Sequence, residues 1–186
     1  MNIIEVETYM HHSDRFYNYA FSQINGCGRL TLLGIKDEPF FDLFVAKNGG
    51  EAPTIDNRVE VIADGVFKNK GNVSSITFPE QLMIIGARAF EHSGLRGVDF
   101  STCKNLKIIK ERAFYDICAS GVLDLTPCQR LFAIEKYAFG VNDFDEVRLP
   151  RTTMFTVKCE GAFSKRNGGN TACTKPVDEE EQMRLF

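Results

Sequence analysis

The sequence predicts a repeat solenoid in which short coils stack on one another and each coil adds one strand to a parallel sheet. Two observations support this fold class: a phenylalanine recurs at a nearly constant interval, and an alternating apolar and polar segment recurs about ten residues after it. The phenylalanines stand at positions 67, 90, 114, 139 and 163, so their spacings are 23, 24, 25 and 24 residues. Because such a constant period is the signature of stacked repeats, we predict about five coils of about 24 residues each.

Each recurrent phenylalanine ends a six-residue motif that reads Ile, three mostly polar residues, a small apolar residue and Phe. Four clear copies and a weaker fifth, which has Lys in the Ile position, lie at residues 62–67, 85–90, 109–114, 134–139 and 158–163. A further apolar residue stands three positions before the Ile position, as Val59, Leu82, Leu106, Leu131 and Phe155. One coil cannot bury these side chains alone, so each coil must cover the next. We therefore assign the recurrent Phe, Ile and Leu side chains to the core.

The second recurrent segment is predicted to form the strands. It lies at residues 73–79, 95–101, 120–126 and 144–150. Apolar and polar residues alternate in it with a period of two, which is typical of a half-buried strand. Strands from successive coils should therefore pair at a spacing of about 4.8 Å and form a parallel sheet along one face.

Composition excludes several classes of function. The chain has 22 basic and 25 acidic residues and a net charge of −3, without the basic excess that nucleic-acid binding requires. Nothing approaches the roughly 18 apolar residues of a membrane-spanning helix, and the first residues do not read as a secretory signal. We expect a cytoplasmic protein without membrane insertion.

The six cysteines include no Cys-x-x-Cys pair, and without an export signal free thiols are favoured. Cys103 and Cys128 occupy equivalent positions in two coils, next to short insertions. Stacking places them about 5 Å apart, within the span of a disulfide. A ladder of reduced thiols is the favoured alternative and a disulfide is the other.

No catalytic, metal or cofactor motif is present. The chain lacks a phosphate-binding Gly-rich loop, a His-Glu-x-x-His helix and a Gly-x-Ser-x-Gly turn. Its histidines, His11, His12 and His92, have neither the spacing nor the cysteine neighbours of a metal site. We predict a protein that is not an enzyme and needs no cofactor. An enzymatic site hidden in residues 1–52 is the least favoured alternative.

Residues 73–90 carry the clearest resemblance to a known family. The positions that match Leu-x-x-Ile-x-Leu-Pro-x-x-Leu-x-x-Ile-x-x-x-Ala-Phe are Ile76, Phe78, Pro79, Leu82, Ile85, Ala89 and Phe90. Over about residues 53–163 the chain resembles the BspA-type leucine-rich repeats. The resemblance implies an α/β-type, right-handed leucine-rich-repeat solenoid with a parallel sheet on its concave face and short irregular or helical segments opposite. It also implies contacts with proteins, with no catalytic residues, and it leaves surface display or secretion by a non-standard route open.

In such a solenoid the polar strand residues point to the concave face, and they are the candidate protein-binding residues. They are Ser75, Thr77, Arg96, Asp99, Asp124, Asp145, Glu146 and Arg148. The leading hypothesis is a protein-interaction module that uses this face to bind a partner of unknown identity. The alternative is a structural role, in which the chain stacks or dimerises through the ends of the solenoid.

Three parts of the chain are predicted. Residues 53–163 form the repeats of 23 to 25 residues. Residues 1–52 are interpreted as a degenerate N-terminal repeat or cap, with a small separate domain as the alternative. Residues 164–186, which include the acidic run 178–181, are interpreted as a polar C-terminal cap or tail.

Overall fold

The computed structural model describes residues 14–24, 27–151, 161–171 and 173–174. In chain order the elements are β1 (Tyr17–Ile24), β2 (Cys27–Ile35), α1 (Glu38–Lys47), β3 (Val59–Ile62), β4 (Ile84–Ile85), β5 (Ile108–Ile109), β6 (Ser120–Asp124), β7 (Ala133–Ile134), β8 (Asp143–Arg148) and β9 (Cys173–Thr174). Some features predicted from the sequence lie outside the described residues, namely His11, His12, Phe155, Lys158 and the acidic run 178–181.

The strands form two sheets that run along the stack of coils. In the larger sheet the strand order is β1-β2-β3-β4-β5-β7, and in the smaller sheet it is β6-β8-β9. The β1–β2 pair is antiparallel, whereas every other pair is parallel. The predicted fold class, a leucine-rich-repeat solenoid with parallel strands, is confirmed.

The phenylalanine column forms the centre of the core, as predicted. Centroids of successive rings from Phe67 to Phe139 lie 4.9, 5.0 and 5.0 Å apart, and the planes of each pair differ by at most 6°. Phe163 extends the column at 5.7 Å from Phe139. A second stacked pair, Phe78 and Phe100 at 5.3 Å, packs edge-on against this column. Stacking therefore links every coil to the next through the same side chain.

We call the part of each coil from the Ile position to the Phe the Ala–Phe side. Its backbone repeats from coil to coil as regularly as the rings do. The Phe67 amide donates to the Ala89 carbonyl at 2.7 Å, and the same bond recurs in the following coils at 2.7, 2.7 and 2.8 Å. Two positions before each Phe, the backbone has a left-handed φ, at Gly65, Arg88, Arg112, Tyr137 and Gly161. In the first four coils the Ile that begins this segment and the Val or Leu three residues before it are buried.

Buried Asn142 adds a polar connection between two coils. Its side-chain oxygen accepts from the amides of Ile117 and Ala119 at 3.2 and 3.3 Å. Its Nδ2 donates to the carbonyls of Phe114 and Phe139 at 2.8 and 3.0 Å. Ser93 occupies the equivalent position two coils earlier, where its hydroxyl is buried without a hydrogen-bond partner among the described residues.

The predicted strands are only partly correct. Strands β6 and β8 lie within the predicted segments 120–126 and 144–150. Segment 73–79 contains only one isolated bridge, from Ser75 to Glu51, and within the described part of segment 95–101 there is no strand. The Arg96 amide lies 3.4 Å from the Ser74 carbonyl, which is too long for a regular ladder. The larger sheet instead forms at the Ile positions, where two-residue strands were not predicted.

The N-terminal residues add a hairpin and a helix before the first coil. Strand β2 pairs with β3, so the hairpin continues the larger sheet. Helix α1 begins after Asp37, whose carboxylate accepts from the Phe40 amide at 2.9 Å. The Phe41 ring of this helix is buried, 6.3 Å from Phe67 at the start of the column. The domain boundary at residue 52 and the assignment of a cap remain predictions.

Candidate protein-binding surface

The eight candidate residues lie on the outward side of the strand segments, and we call them the strand face. Six of them are exposed, while Asp124 and Glu146 are partly exposed. The residues between them point inward: Leu123 and Val147 are buried, and Ile76 and Val98 pack against the core. Alternation holds from Ser75 to Thr77 and from Glu146 to Arg148. It is interrupted between Arg96 and Asp99, which are three residues apart, and at the adjacent residues Asp145 and Glu146.

The third and fourth coils bring the strand face into a paired ladder, with one register shift between Gly121 and Val122. Strand β6 pairs with β8 so that Asp124 lies beside Arg148 and Val122 beside Glu146. Val122 is 48% exposed and contributes an apolar position within this polar surface. The earlier four candidates, from Ser75 to Asp99, belong to the two coils that lack the ladder. The structure thus brings the C-terminal candidates together more regularly than the N-terminal ones.

Two candidate aspartates also stabilise local backbone turns. Oδ1 of Asp99 accepts from the Ser101 amide at 2.8 Å. Oδ1 of Asp124 accepts from the Thr126 amide at 2.8 Å and from its hydroxyl at 2.6 Å. A carboxylate or amide oxygen two residues before the donor is what an Asx turn requires. These residues therefore have a structural role beside any role in binding.

Acidic groups dominate the strand face, with four carboxylates and two guanidinium groups. Glu146 accepts two hydrogen bonds from Arg148, both at 3.2 Å. This bonding, with the nearby carboxylate charge, raises the pKa of the Arg148 guanidinium. Because four carboxylates stand against two guanidinium groups, the strand face carries a net negative charge.

The reactive residue types do not form a site. Cys103 and Cys128 are buried and free. Burial raises the pKa of the Cys103 thiol to about 12, and it raises the pKa of the Cys128 thiol as well. Both are therefore uncharged near neutral pH. His92 is exposed, with Nδ1 3.2 Å from a carboxylate oxygen of Asp116. Among the described residues no cluster of His, Cys, Asp and Glu is suited to a metal ion.

A second surface, formed by the residues just before each buried Ile, was not predicted from the sequence. The residue before each buried Ile pairs with its counterpart in the next coil, which aligns Val61, Ile84, Ile108 and Ala133. All four are partly exposed and lie outside the buried core cluster. Phe132, beside Ala133, is 41% exposed. We call these five residues the apolar row.

No helix in the described part of the chain is long and apolar enough to cross a membrane.

The sequence and the fold both match known leucine-rich-repeat proteins. The family described as BspA type Leucine rich repeat region matches residues 44–168 in six copies. A leucine-rich repeat protein from Bacteroides ovatus ATCC 8483 has a similar solved structure, with a TM-score of 0.59 and 22% sequence identity. That similarity covers 83% of this chain but only 38% of the Bacteroides protein. No curated protein matches the sequence.

Repeats of this family generally mediate protein interactions, and the fold is typically non-enzymatic. The family match spans more than half of the sequence and includes all of the coils described above. The chain belongs to the BspA-type leucine-rich repeat family.

Proposed function

We propose that this chain is a protein-binding module and that the strand face is its contact surface. The observation that carries the proposal is the register of β6 and β8, which places the partly exposed Asp124 beside the exposed Arg148 of the next coil. A fixed row of side chains on a rigid sheet loses little conformational freedom on binding, which favours specific recognition. The buried phenylalanine column beneath provides that rigidity.

Charge indicates what kind of partner would fit. The strand face contains twice as many acidic as basic groups. A partner with a basic surface would therefore be attracted, and the attraction would weaken as salt concentration rises. Val122 adds one exposed apolar contact within this polar surface. The expected interface is polar at its rim and salt-sensitive.

The experiment must remove charge without disturbing the Asx turns. Asp99→Asn with Asp124→Asn does this, because the amide oxygen can still accept the bonds to Ser101 and Thr126. The matched control is Glu111→Gln with Glu135→Gln, two exposed acids on the Ala–Phe side. Both double variants change net charge by the same amount.

The immobilised wild type and both variants would be used to capture proteins from extracts of the source cells, with circular dichroism to verify folding. We expect a partner that the control retains and the Asp99→Asn, Asp124→Asn variant loses, and that elutes at moderate salt. Equal retention by both variants would place the contact elsewhere on the molecule. With the purified partner, calorimetry at two salt concentrations would then measure the charge contribution directly.

A further inference from the structure

We propose that the apolar row is a self-association surface, on which a second copy of this chain packs its own apolar row to form a weak two-fold dimer. This inference is independent of the strand face and uses the outward side of the larger sheet. Two sheets that pack face to face lie about 10 Å apart and bury the side chains between them.

The row is suited to such a contact because it is apolar where an exposed sheet would normally be polar. Ile84 and Ile108 sit at its centre on adjacent strands, and their neighbours Ile85 and Ile109 are the residues that face the core. Partly exposed β-branched side chains are not needed for the fold at these positions, since the buried Ile column already supplies the core. An aligned apolar surface of this kind is more typical of an interaction site than of a free surface.

A two-fold axis parallel to the strands makes the row self-complementary. It reverses the order of coils in the partner, so that Ile84 of one copy faces Ile108 of the other, and Val61 faces Ala133. Each apolar contact then occurs twice. Phe132 of each copy would lie against Glu60 of the other, whose carboxylate is paired with Arg29 at 3.3 Å.

The flanking charges favour the same axis. Asp64 and Lys136 are exposed and stand in equivalent positions of the first and fourth coils, two residues after the buried Ile. With the coil order reversed, these opposite charges face each other at both ends of the contact. Both groups also have intramolecular partners. Asp64 Oδ1 accepts from the Ala87 amide at 2.8 Å and lies 3.7 Å from Lys110. Lys136 Nζ lies 5.3 Å from the centre of the Tyr137 ring.

The other two-fold axis, parallel to the stack, is disfavoured. With this axis each coil faces the same coil of the other copy, but the strand direction is reversed. A residue three positions before the row in one copy therefore faces the residue three positions after it in the other. In the fourth coil the exposed Arg130 and Lys136 would then meet as like charges. In the first coil Arg58 would meet Asp64, but the Arg58 guanidinium is already bonded to Asp56 at 2.6 and 3.0 Å.

In the dimer with reversed coil order Arg58 faces Arg130 of the other copy, and the Asp56 carboxylate offsets the charge of Arg58 there. Charge complementarity therefore favours the reversed coil order.

Sedimentation equilibrium of the full chain from about 10 to about 500 µM would test the proposal. The row extends over only four coils, so the interface is at the small end of specific contacts and dissociation is expected in that range. The variants are Ile84→Glu, Ile108→Lys and the two combined. The control, Val122→Glu, makes the same kind of change on the strand face, where Val122 is 48% exposed. Circular dichroism would verify that each variant is folded.

We expect the wild type to show a reversible monomer–dimer equilibrium that the control retains. Each single variant should raise the dissociation constant at least about tenfold, because it places a charge against an isoleucine. The combined variant should recover much of this loss, because the introduced carboxylate and ammonium groups would then face each other across the axis. A wild type that stays monomeric over the whole range would overturn the proposal. A dimer that is unaffected by Ile84→Glu would also overturn it, because the contact would then lie on another surface.

Discussion

The two sides of each coil differ in how strictly they repeat. On the Ala–Phe side, stacked rings and an amide bond of 2.7 to 2.8 Å join every coil from Phe67 to Phe163. On the strand side of the described coils a ladder joins β6, β8 and β9, whereas the earlier coils are joined by isolated contacts. The same chain thus builds one uniform side and one variable side.

This difference indicates which side maintains the fold. Where every coil uses the same residue in the same environment, a substitution disturbs two neighbours at once, and the solenoid depends on those nearest-neighbour contacts. The strand side can vary its outward residues because the inward ones, such as Leu123 and Val147, supply the burial. Variation is therefore tolerated on the surface that we propose for partner binding.

Phe114→Ala should have the largest effect on stability, because Phe114 is fully buried and stacks on the rings of both adjacent coils at 5.0 Å. We expect a loss of about 3–5 kcal/mol in the free energy of unfolding. Urea denaturation followed by circular dichroism would measure it. Thr77→Ala, at an exposed position on the strand side, is the control and should change stability by less than about 0.5 kcal/mol. Similar losses in the two variants would contradict the distinction between the sides.

Asn142→Ala should have the next largest effect. The substitution leaves two buried amides and two buried carbonyls without the partner they have in the native chain. We expect a loss of about 3 kcal/mol, because each unsatisfied buried group costs roughly 1–3 kcal/mol and some will find water. Thermal and urea unfolding would measure the loss.

Ser93→Ala is the matched control in the equivalent position. Since the Ser93 hydroxyl is buried without a partner among the described residues, its removal should be neutral or stabilising by up to about 1 kcal/mol. If both substitutions cost the same, the hydrogen bonds of Asn142 would not be the source of its contribution.

The contrast between these two residues also shows what the sequence can and cannot predict. The Phe column was predictable because one residue type recurs in one position at a constant period. The burial of Leu123 and Val147 followed from alternation. Asn142 had no such signal, because the equivalent positions hold unrelated residues, namely Lys70, Ser93 and Ile117.

The larger sheet was not predictable for a different reason. Its short strands, such as Ile84–Ile85, contain too few residues for alternation to appear in the sequence. Only stacking reveals that the residue before each buried Ile is aligned with its counterparts. Helix α1 did have recognisable signals, with Asp37 as its N-cap and Pro39 in its first turn. Residues 37–41 do not follow the repeat, so the repeat pattern did not predict this helix.

The smallest predicted effects concern the left-handed position two residues before each Phe. Gly65 and Arg88 occupy it in adjacent coils, with φ of 70° and 55°. A residue with a Cβ pays about 1–2 kcal/mol in this conformation. Glycine avoids that cost, but it makes the unfolded chain more flexible. This flexibility cancels about 0.4–1 kcal/mol of the gain in stability. Arg88→Gly should therefore stabilise the protein by about 0.5–1 kcal/mol.

Gly65→Ala is the reverse change and should destabilise the protein by about 1 kcal/mol. A Cβ added at Gly65 would meet no atom within 4 Å, so the cost is conformational and not steric. Urea midpoints measured on the same preparation would compare the two variants. If Arg88→Gly lowered stability instead, the Arg88 side chain would have to make a stabilising contact that outweighs the backbone cost. The Ala–Phe side would then depend on its surface residues as well as on its core.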